Sequence, residues 1–272
     1  MPMRKDEASG RRWVEMELLL PGTPEEVWQV MATGPGTSAW FTQTEIEERV
    51  GGRVRFDFGS IGESVGTVTV WEPPHRFAYE ESDWNPGAPP VATEITIASR
   101  GGGECVVRMV HSLFTSSEEW DDQLEGFEGG WPGFFDVLRL YLGHFRGRKA
   151  IPFSVRGGGE ADEHGSWKKL TQAVGLAGAD VGDRRTLAAP EALSGVVERI
   201  DQRDGPRHLV MRIEDPIPAI VLLGTYTVGD GVDCVIAFYD YGENAHATAE
   251  RQRRWEDWFS RSFPARPLQR IG

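Results

Sequence analysis

Six short strand-like segments follow one another in the first half of the chain, and this run limits the fold more than any other feature. The segments cover residues 45–50, 53–58, 64–71, 76–81, 91–98 and 105–114. Gly and Pro residues separate them, as is typical of turns between strands. Such short connections join antiparallel strands, because a parallel pair needs a crossover of a dozen or more residues. The alternation of apolar and acidic residues at 13–20 adds an earlier, half-buried strand.

Helical signals lie on both sides of this run. Thr23 can cap a helix that starts at Pro24, and Glu25 and Glu26 favour its positive N-terminal end. After the last strand, apolar residues recur at intervals of three and four and define one stripe on a long helix. The stripe consists of Trp120, Leu124, Phe127, Trp131, Phe134, Leu138, Tyr141 and Phe145. Because Pro132 lies within it, we expect a break near Gly129-Gly130 and a restart at about Trp131.

The same order of elements returns in the second half. We predict a helix at 166–174, strands near 184–187, 193–201, 208–214, 220–228 and 234–240, and a final helix at 247–262. Short signatures recur at one spacing: Gly66-Thr67-Val68 corresponds to Gly195-Val196-Val197, and Cys105 to Cys234. A polar, glycine-rich stretch separates the halves. The sequence therefore predicts an α+β protein with domains at 1–155 and 165–272 and a linker at 156–164.

The charge balance argues against several classes of partner. With 42 acidic and 29 basic residues the formal net charge is −13, which repels phosphate backbones and anionic membrane surfaces. We therefore expect no nucleic-acid partner. No apolar run reaches the roughly 18 residues of a membrane span. The polar start, Met1 to Glu7, does not read as a secretory signal, so we expect a cytoplasmic protein.

No motif for a metal, a cofactor or a covalent nucleophile is present. The six His residues never approach a spacing such as His-Glu-x-x-His, and the glycines at 157–159 lack the Lys-Ser/Thr of a phosphate loop. Cys105 and Cys234 have no Cys-x-x-Cys neighbour and lie in apolar strands, so we expect buried, inert thiols. We predict no catalytic residue, no metal site and no cofactor.

The first half resembles the START-like superfamily, also called SRPBCC, and within it the heat-shock-protein ATPase-activator homology family. The residues that carry the resemblance are Thr23-Pro24-Glu25-Glu26-Val27-Trp28, Ala39-Trp40-Phe41, Gly51-Gly52-Arg53-Val54, Gly66-Thr67-Val68, Pro73 to Tyr79, Thr93-Glu94-Ile95-Thr96-Ile97, His111-Ser112 and Gly130-Trp131. The resemblance spans about residues 13–149. It implies a helix-grip domain, in which a curved antiparallel sheet wraps a long C-terminal helix. The second half resembles a degenerate repeat of this domain, without the Trp-Phe and Gly-Trp pairs, so we predict tandem helix-grip domains.

The resemblance also implies a hydrophobic cavity between sheet and helix, in which members hold lipids, polyketides or other apolar molecules. The polar residues that we expect to point into the first-domain cavity are Tyr79, Glu94, Arg108 and His111. The apolar wall is expected to contain Trp40, Phe56, Phe58, Trp71, Trp84, Trp131 and Phe135. This assignment rests on strand alternation, which a single bulge reverses. Alternatively, the aromatic residues fill a core, the charged residues face water and His111 is structural.

The final helix offers a possible surface for a partner. Arg251, Arg253, Arg254 and Arg261 lie near Trp255 and Trp258, so one side of the helix is basic and the other aromatic. Such a basic side either faces water opposite a buried stripe or docks an acidic partner.

We expect a protein that binds a small apolar ligand in the first-domain cavity and is not an enzyme. One alternative is a chaperone-cofactor or protein-interaction module, with the cavity collapsed and a chaperone or other protein as the partner. The other is a polyketide cyclase/dehydratase-like enzyme, which needs acid–base groups beyond His111 and Arg108. A pocket of roughly 300 Å³ or more favours the first and third hypotheses, whereas a filled interior favours the second.

Overall fold

The computed structural model divides the chain into two compact units, Met1–Lys149 and Ala150–Gly272. It describes residues 3–6, 8–59, 62–82, 84, 87–115, 117–202, 206–228, 231–242 and 244–265. The side chains of residues 122, 123, 125–129 and 228 lie outside this description, and Phe127 of the predicted stripe is among them.

The first unit is built on an eight-stranded antiparallel sheet. Its strands are β1 (Arg4–Asp6), β2 (Arg11–Pro21), β3 (Gln43–Ile46), β4 (Arg53–Asp57), β5 (Glu63–Glu72), β6 (Arg76–Glu81), β7 (Val91–Gly101) and β8 (Glu104–Phe114). They lie in the order β1-β2-β8-β7-β6-β5-β4-β3. The predicted antiparallel run is therefore confirmed, and the early strand β2 pairs with the last strand, β8.

Three helices complete this unit: α1 (Pro24–Ala32), α2 (Gly34–Ser38) and α3 (Asp121–Leu140), which ends in a π-helical turn at Tyr141–Phe145. The start of α1 is fixed as the sequence predicts, since Thr23 and Glu26 form a reciprocal capping box. Helix α1 packs on β7, whereas α3 packs on β2 and β8. The helices therefore cover one face of the sheet, and the core lies between them.

The predicted break near Gly129-Gly130 is wrong, because α3 runs without interruption through Pro132. A proline inside a helix costs roughly 3 kcal/mol, since it removes one backbone hydrogen bond and crowds the preceding turn. The inward residues Leu124, Phe135 and Leu138 are at most 4% exposed. Burial of each such side chain contributes about 1.5–3 kcal/mol, so packing outweighs the cost of the proline.

The second unit repeats the plan with six strands. It contains β9 (Ile151–Gly158), α4 (Glu163–Ala173), β10 (Arg184–Leu187), β11 (Leu193–Asp201), β12 (Arg207–Asp215), β13 (Ala219–Val228), β14 (Gly231–Asp240) and α5 (Ala245–Ser262). The sheet order is β10-β11-β12-β13-β14-β9, so the first strand again pairs with the last. The protein is therefore an α+β tandem of helix-grip units. Among the described residues, none of the helices is both long and apolar enough to traverse a bilayer.

The repeat extends to the backbone. In β5 a β-bulge falls between Val68 and Val70, and in β11 the corresponding bulge falls between Val197 and Arg199. The amide of Gly51 donates to the carbonyl of Val68 at 2.8 Å, and the amide of Gly182 donates to that of Val197 at 2.8 Å. Because these details are not required by the overall topology, they support the interpretation of the second half as a degenerate copy.

The predicted linker at 156–164 requires a correction, because its first residues belong to strand β9. Residues 156–158 pair with 233–235 of β14, so the second unit begins at about residue 150 and the first ends before residue 155. The glycines have a packing role here: a Cβ on Gly157 would lie 1.9 Å from the carbonyl oxygen of Phe263. Close approach of two backbones, rather than chain flexibility, explains this glycine.

Candidate functional site

A narrow apolar crevice lies between the first sheet and its helices. Only about 20 Å³ of it admits the centre of a water molecule. A single water needs about 10–15 Å³ by this measure. The lining residues are Met31, Thr37, Trp40, Phe41, Ile46, Phe56, Phe77, Tyr79, Ile95, Met109 and Trp131. The interior is therefore nearly filled, and aromatic side chains fill most of it.

Phe41 and Trp131 form a stacked pair on the half-exposed side of the crevice. Their ring centroids are 4.9 Å apart with an interplanar angle of 28°. Phe41 also contacts Phe134 edge-on at 4.9 Å, and Trp131 stacks on Phe135 at 5.4 Å. Phe41 follows α2 and Trp131 belongs to α3, so the pair joins two helices across the opening. Because both rings are half-buried and both line the crevice, they lie between its interior and solvent.

The position of Phe41 is set by a tight connection between α1 and α2. A Cβ on Gly36 would lie 1.8 Å from the carbonyl oxygen of Gln29, so only glycine permits this approach. Trp40 is 1% exposed, and its indole N–H donates to the carbonyl of Val30 at 2.8 Å. With Trp40 fixed in the core, the next residue, Phe41, is held at the crevice opening.

A row of polar side chains crosses three adjacent strands beside the crevice. Tyr79 of β6 lies directly opposite Thr93 of β7, which lies opposite His111 of β8. The Thr93 hydroxyl is 2.8 Å from Nδ1 of His111, and the Trp131 indole N–H donates to Nε2 of His111 at 2.9 Å. The row therefore connects the sheet to α3.

Burial sets the protonation states in this row. Burial lowers the pKa of His111 to about 4, so its imidazole is neutral at pH 7. Burial, and then the nearby charge of Glu81, raise the pKa of Tyr79 well above its usual range, while Thr93 partly opposes this shift. Both groups are thus neutral near pH 7. With its two ring nitrogens engaged by Thr93 and Trp131, His111 is suited to a structural role rather than to acid–base chemistry.

A carboxyl group that the sequence reasoning missed lies one row along on the same face. Glu81 follows Phe77 and Tyr79 in the alternation of β6, and it accepts a hydrogen bond from the hydroxyl of Ser64. Burial raises the pKa of Glu81, and the bond from Ser64 only partly offsets this. Alternation alone could have placed Glu81 beside the cavity, although it is not among the residues that line the crevice.

The described residues contain no group of three or more His, Cys, Asp or Glu side chains that could share a metal ion. Cys105 and Cys234 are both buried and unpaired with each other. Burial, the largest cause, raises the pKa of both thiols, that of Cys234 to about 12. These thiols are therefore poor nucleophiles at neutral pH.

Residues 21–143 match the model of a protein family described as "Activator of Hsp90 ATPase homolog 1-like protein". This match covers most of the first unit and less than half of the chain. The match confirms the resemblance of the first half, and the repeated backbone details above relate the second half to it. A search of curated proteins gave no match to this chain.

Several solved structures are similar to the chain at low identity. CalU16 from Micromonospora echinospora is 20% identical, with a TM-score of 0.43, over 53% of this chain and 83% of its own. The Aha1 dimer from Colwellia psychrerythraea is 20% identical, with a TM-score of 0.41, and the match covers 50% of this chain and 98% of the other. BexL, described as a di-domain ARO/CYC from the BE-7585A biosynthetic pathway, is 12% identical, with a TM-score of 0.46. The match covers 94% of this chain and 100% of BexL. Because all three identities are 20% or lower and all three TM-scores are below 0.5, these similarities assign no activity to this chain.

In the first unit the structure brings together seven of the predicted site residues. Trp40, Phe56, Tyr79 and Trp131 line the crevice. Phe58, Phe135 and His111 border it through ring contacts with Phe41, Trp40 and Trp131 respectively. The alternation of β4, β6 and β8 placed these strand residues on the correct face.

Glu94 and Arg108 instead lie on the other face of the sheet, which corrects their predicted position. Glu94 accepts from Arg76 at 2.6 Å, and Arg108 donates to Glu15 at 2.7 Å. In β7 and β8 the inward residues are those with odd numbers, such as Thr93 and His111, so their neighbours point outward. Paired charges at the surface avoid the cost of burying an ion beside an apolar crevice.

Trp71 and Trp84 lie away from the crevice as well. The bulge in β5 turns Trp71 towards Trp28 of α1, with ring centroids 5.0 Å apart. Trp84 packs on Trp120, and its indole N–H donates to the carbonyl of Pro89 at 2.8 Å. Both are packing residues of neighbouring clusters.

Sequence reasoning missed the aliphatic residues of the lining and the rings of Phe41 and Phe77. Phe77, Ile95 and Met109 alternate with outward residues in their strands, so the same argument that found Tyr79 applies to them. Phe41 was noted in the Trp-Phe pair, but no strand or helix period indicates which way it points. Only the packing of α2 against α1 decides that.

A cluster of buried apolar side chains forms the core of the second unit. Phe238 stacks on Phe153 at 4.6 Å and contacts Trp255 of α5 at 4.6 Å. On the polar side of α5, Arg251 is 6% exposed and pairs with Asp240 at 2.8 Å and Glu191 at 2.7 Å. Arg251 therefore anchors α5 rather than forming a basic surface.

Proposed function

We propose that the first unit binds a small, flat, apolar molecule in the crevice between its sheet and α3. The observation that carries this proposal is the lining, in which Trp40, Phe41, Phe56, Phe77, Tyr79 and Trp131 supply rings and only Thr37 and Tyr79 contribute hydroxyl groups. The Thr37 hydroxyl already donates to the carbonyl of Met31 at 3.4 Å. Ring faces around a narrow space favour a flat molecule through offset-stacked and edge-on contacts.

Entry requires the lining side chains to move apart, because the crevice admits little more than one water. The Phe41–Trp131 pair is suited to this step. Each ring is half-buried and an aromatic ligand can replace the ring contact that is lost on opening. The helix and strand that carry the rest of the lining can then stay in place.

Binding rather than catalysis fits the chemistry of the crevice. His111 is neutral and both of its ring nitrogens are engaged, whereas Arg108 lies on the outer face of the sheet. The acid–base pair that a cyclase-like reaction would need from these residues is thus not assembled.

The test is equilibrium binding of N-phenyl-1-naphthylamine, followed by its fluorescence, to the full chain and two matched variants. Met109→Phe adds volume to the crevice, whereas Met211→Phe makes the same change in the core of the second unit. We expect the wild type and Met211→Phe to bind alike and Met109→Phe to bind at least about tenfold more weakly. Circular dichroism confirms folding. No binding by the wild type, or equal binding by Met109→Phe, overturns the proposal.

The nearly filled interior favours one second candidate, a protein-interaction module that acts on a chaperone. The family description names an activator of the Hsp90 ATPase, which defines the partner to test. The experiment measures ATP hydrolysis by purified Hsp90 with and without the chain. A rate increase together with no binding of the dye selects this candidate over the ligand binder.

A further inference from the structure

The inner face of the first sheet carries a pair of polar side chains, Ser64 and Glu81, beside the crevice. Ser64 lies directly opposite Phe56 across β4 and β5, and Glu81 is two residues from Tyr79 in β6. Phe56 and Tyr79 both line the crevice, so the pair borders it. The Ser64 hydroxyl donates to Oε1 of Glu81. Within the part of the chain that the structure describes, the half-buried Glu81 has no other hydrogen-bond or ion-pair partner, so its second oxygen is left to accept.

The second unit shows that the fold does not require this polar pair. Gly66 lies opposite Glu81 across β5 and β6, and the corresponding Gly195 lies opposite Ile213 across β11 and β12. The serine position is taken by Leu193, two residues before Gly195. Ile213 and Leu193 are at most 1% exposed and belong to the apolar core. An apolar pair therefore fits the same place, whereas a carboxyl group beside an apolar interior costs free energy. The polar pair of the first unit thus suits ligand recognition better than folding.

Space and charge at this position favour a cationic group. A Cβ on Gly66 would lie 3.0 Å from Cγ of Glu81, so the glycine leaves room for the carboxyl side chain. Residues 1–149 contain 24 acidic and 14 basic residues, so the field around the first unit attracts cations and repels anions. Burial raises the pKa of Glu81, and the bond from Ser64 opposes this. A cation beside the carboxyl group lowers the pKa further, because the two opposite charges stabilise each other.

We propose that Glu81 is a specificity-determining residue of the crevice and selects flat aromatic ligands that carry a cationic amino group at one edge. This inference rests on the proposed function and adds the chemical class of the ligand. The aromatic part lies between the rings of the crevice. The ammonium group extends past Tyr79 and donates a charge-assisted hydrogen bond to the Glu81 carboxylate. Ser64 is a positioning residue, because its hydroxyl holds one carboxylate oxygen in place.

The test uses two probes of nearly equal shape, 2-(aminomethyl)naphthalene and 2-ethylnaphthalene, in which a methyl group replaces the ammonium group. Their affinities are measured at pH 7 by displacement of N-phenyl-1-naphthylamine from wild type, Glu81→Gln and Glu80→Gln. Glutamine keeps the size of the side chain and an oxygen that accepts from Ser64. Glu80 is the next residue of β6, is exposed and points to the outer face, so Glu80→Gln removes the same formal charge outside the crevice.

We expect the ratio of amine to hydrocarbon affinity to fall about tenfold in Glu81→Gln and to change by less than about twofold in Glu80→Gln. The affinity for the hydrocarbon should stay within about twofold in all three proteins, which also shows that the crevice is intact. If the hydrocarbon binds the wild type but the ratio does not fall in Glu81→Gln, or falls equally in both variants, the Glu81 inference fails while the proposed function stands. If neither the dye nor the probes bind the wild type, the proposed function fails and this inference with it.

Discussion

The indole N–H of Trp131 donates to Nε2 of His111 across 2.9 Å, and the two rings are nearly parallel, with an interplanar angle of 12°. This contact joins α3 to β8 within the first unit. Because His111 is 4% exposed, water cannot replace the bond if Trp131 is removed. The bond thus supports the Trp131 ring at the crevice opening. Its removal measures how strongly α3 is attached to the sheet.

Trp131→Phe should destabilise the first unit by about 1–3 kcal/mol, because it removes the hydrogen bond that the buried His111 accepts from the indole. The measurement is native-state hydrogen exchange of the β7 and β8 amides, which reports local opening of this unit. His111→Leu in the same background provides a double-mutant cycle. A coupling energy near zero between the two positions would show that the bond adds nothing to stability.

The buried imidazole should make the first unit sensitive to mild acid. The fold lowers the pKa of His111 from 6.5 to about 4, so the unfolded chain takes up a proton at a higher pH than the folded chain does. The contribution of His111 to the free energy of unfolding is therefore most favourable above pH 6.5. It becomes less favourable as the pH falls from 6.5 to about 4, with a limiting slope of about 1.4 kcal/mol per pH unit.

His111→Gln isolates this effect from the many carboxyl groups that also titrate. The opening free energy of β8 amides in wild type and variant, measured from pH 7 to pH 4.5, should differ less as the pH falls. A difference that stays constant over this range would contradict a lowered His111 pKa.

Removal of the Arg251 side chain should weaken the second unit strongly. Arg251→Met leaves Asp240, itself 2% exposed, buried without its ion pair, and breaking a buried pair in this way costs about 3–5 kcal/mol. Arg254→Met is the matched control on the same helix, because Arg254 pairs with Glu191 while its side chain stays 50% exposed. The control should cost at most about 1 kcal/mol. Exchange of β14 amides gives both values, and equal effects would disprove a special role for Arg251.

Most of the fold could be predicted from the sequence because its elements depend on local rules. Strands β5 to β8 stand out by alternation and by their Gly and Pro boundaries, and Thr23 and Glu26 mark the start of α1. The repeat was visible in short signatures because both copies keep the same bulge. Strand β9 was missed since its glycines, which permit contact with the chain after α5, look like a linker in sequence.

The candidate site was predictable only in part. Alternation placed Tyr79 and His111 on the inner face, but the predicted face was wrong for Glu94 and Arg108. These two residues form ion pairs with Arg76 and Glu15 on the outer face. Alternation sorts residues into two faces and cannot tell which face meets the helices until the neighbours are known.

The strands and helices, and their repetition in the second half, could be predicted from the amino-acid sequence alone. Hydrophobic periodicity, helix caps and turns depend on residues that are close in the chain. Three features became visible only in the tertiary structure: the crevice is nearly filled, Phe41 stacks on Trp131, and Thr93, His111 and Trp131 form one hydrogen-bonded row. These features depend on distances between residues far apart in sequence. Such distances are set by the packing of helices on the sheet, where side-chain volume and direction act together.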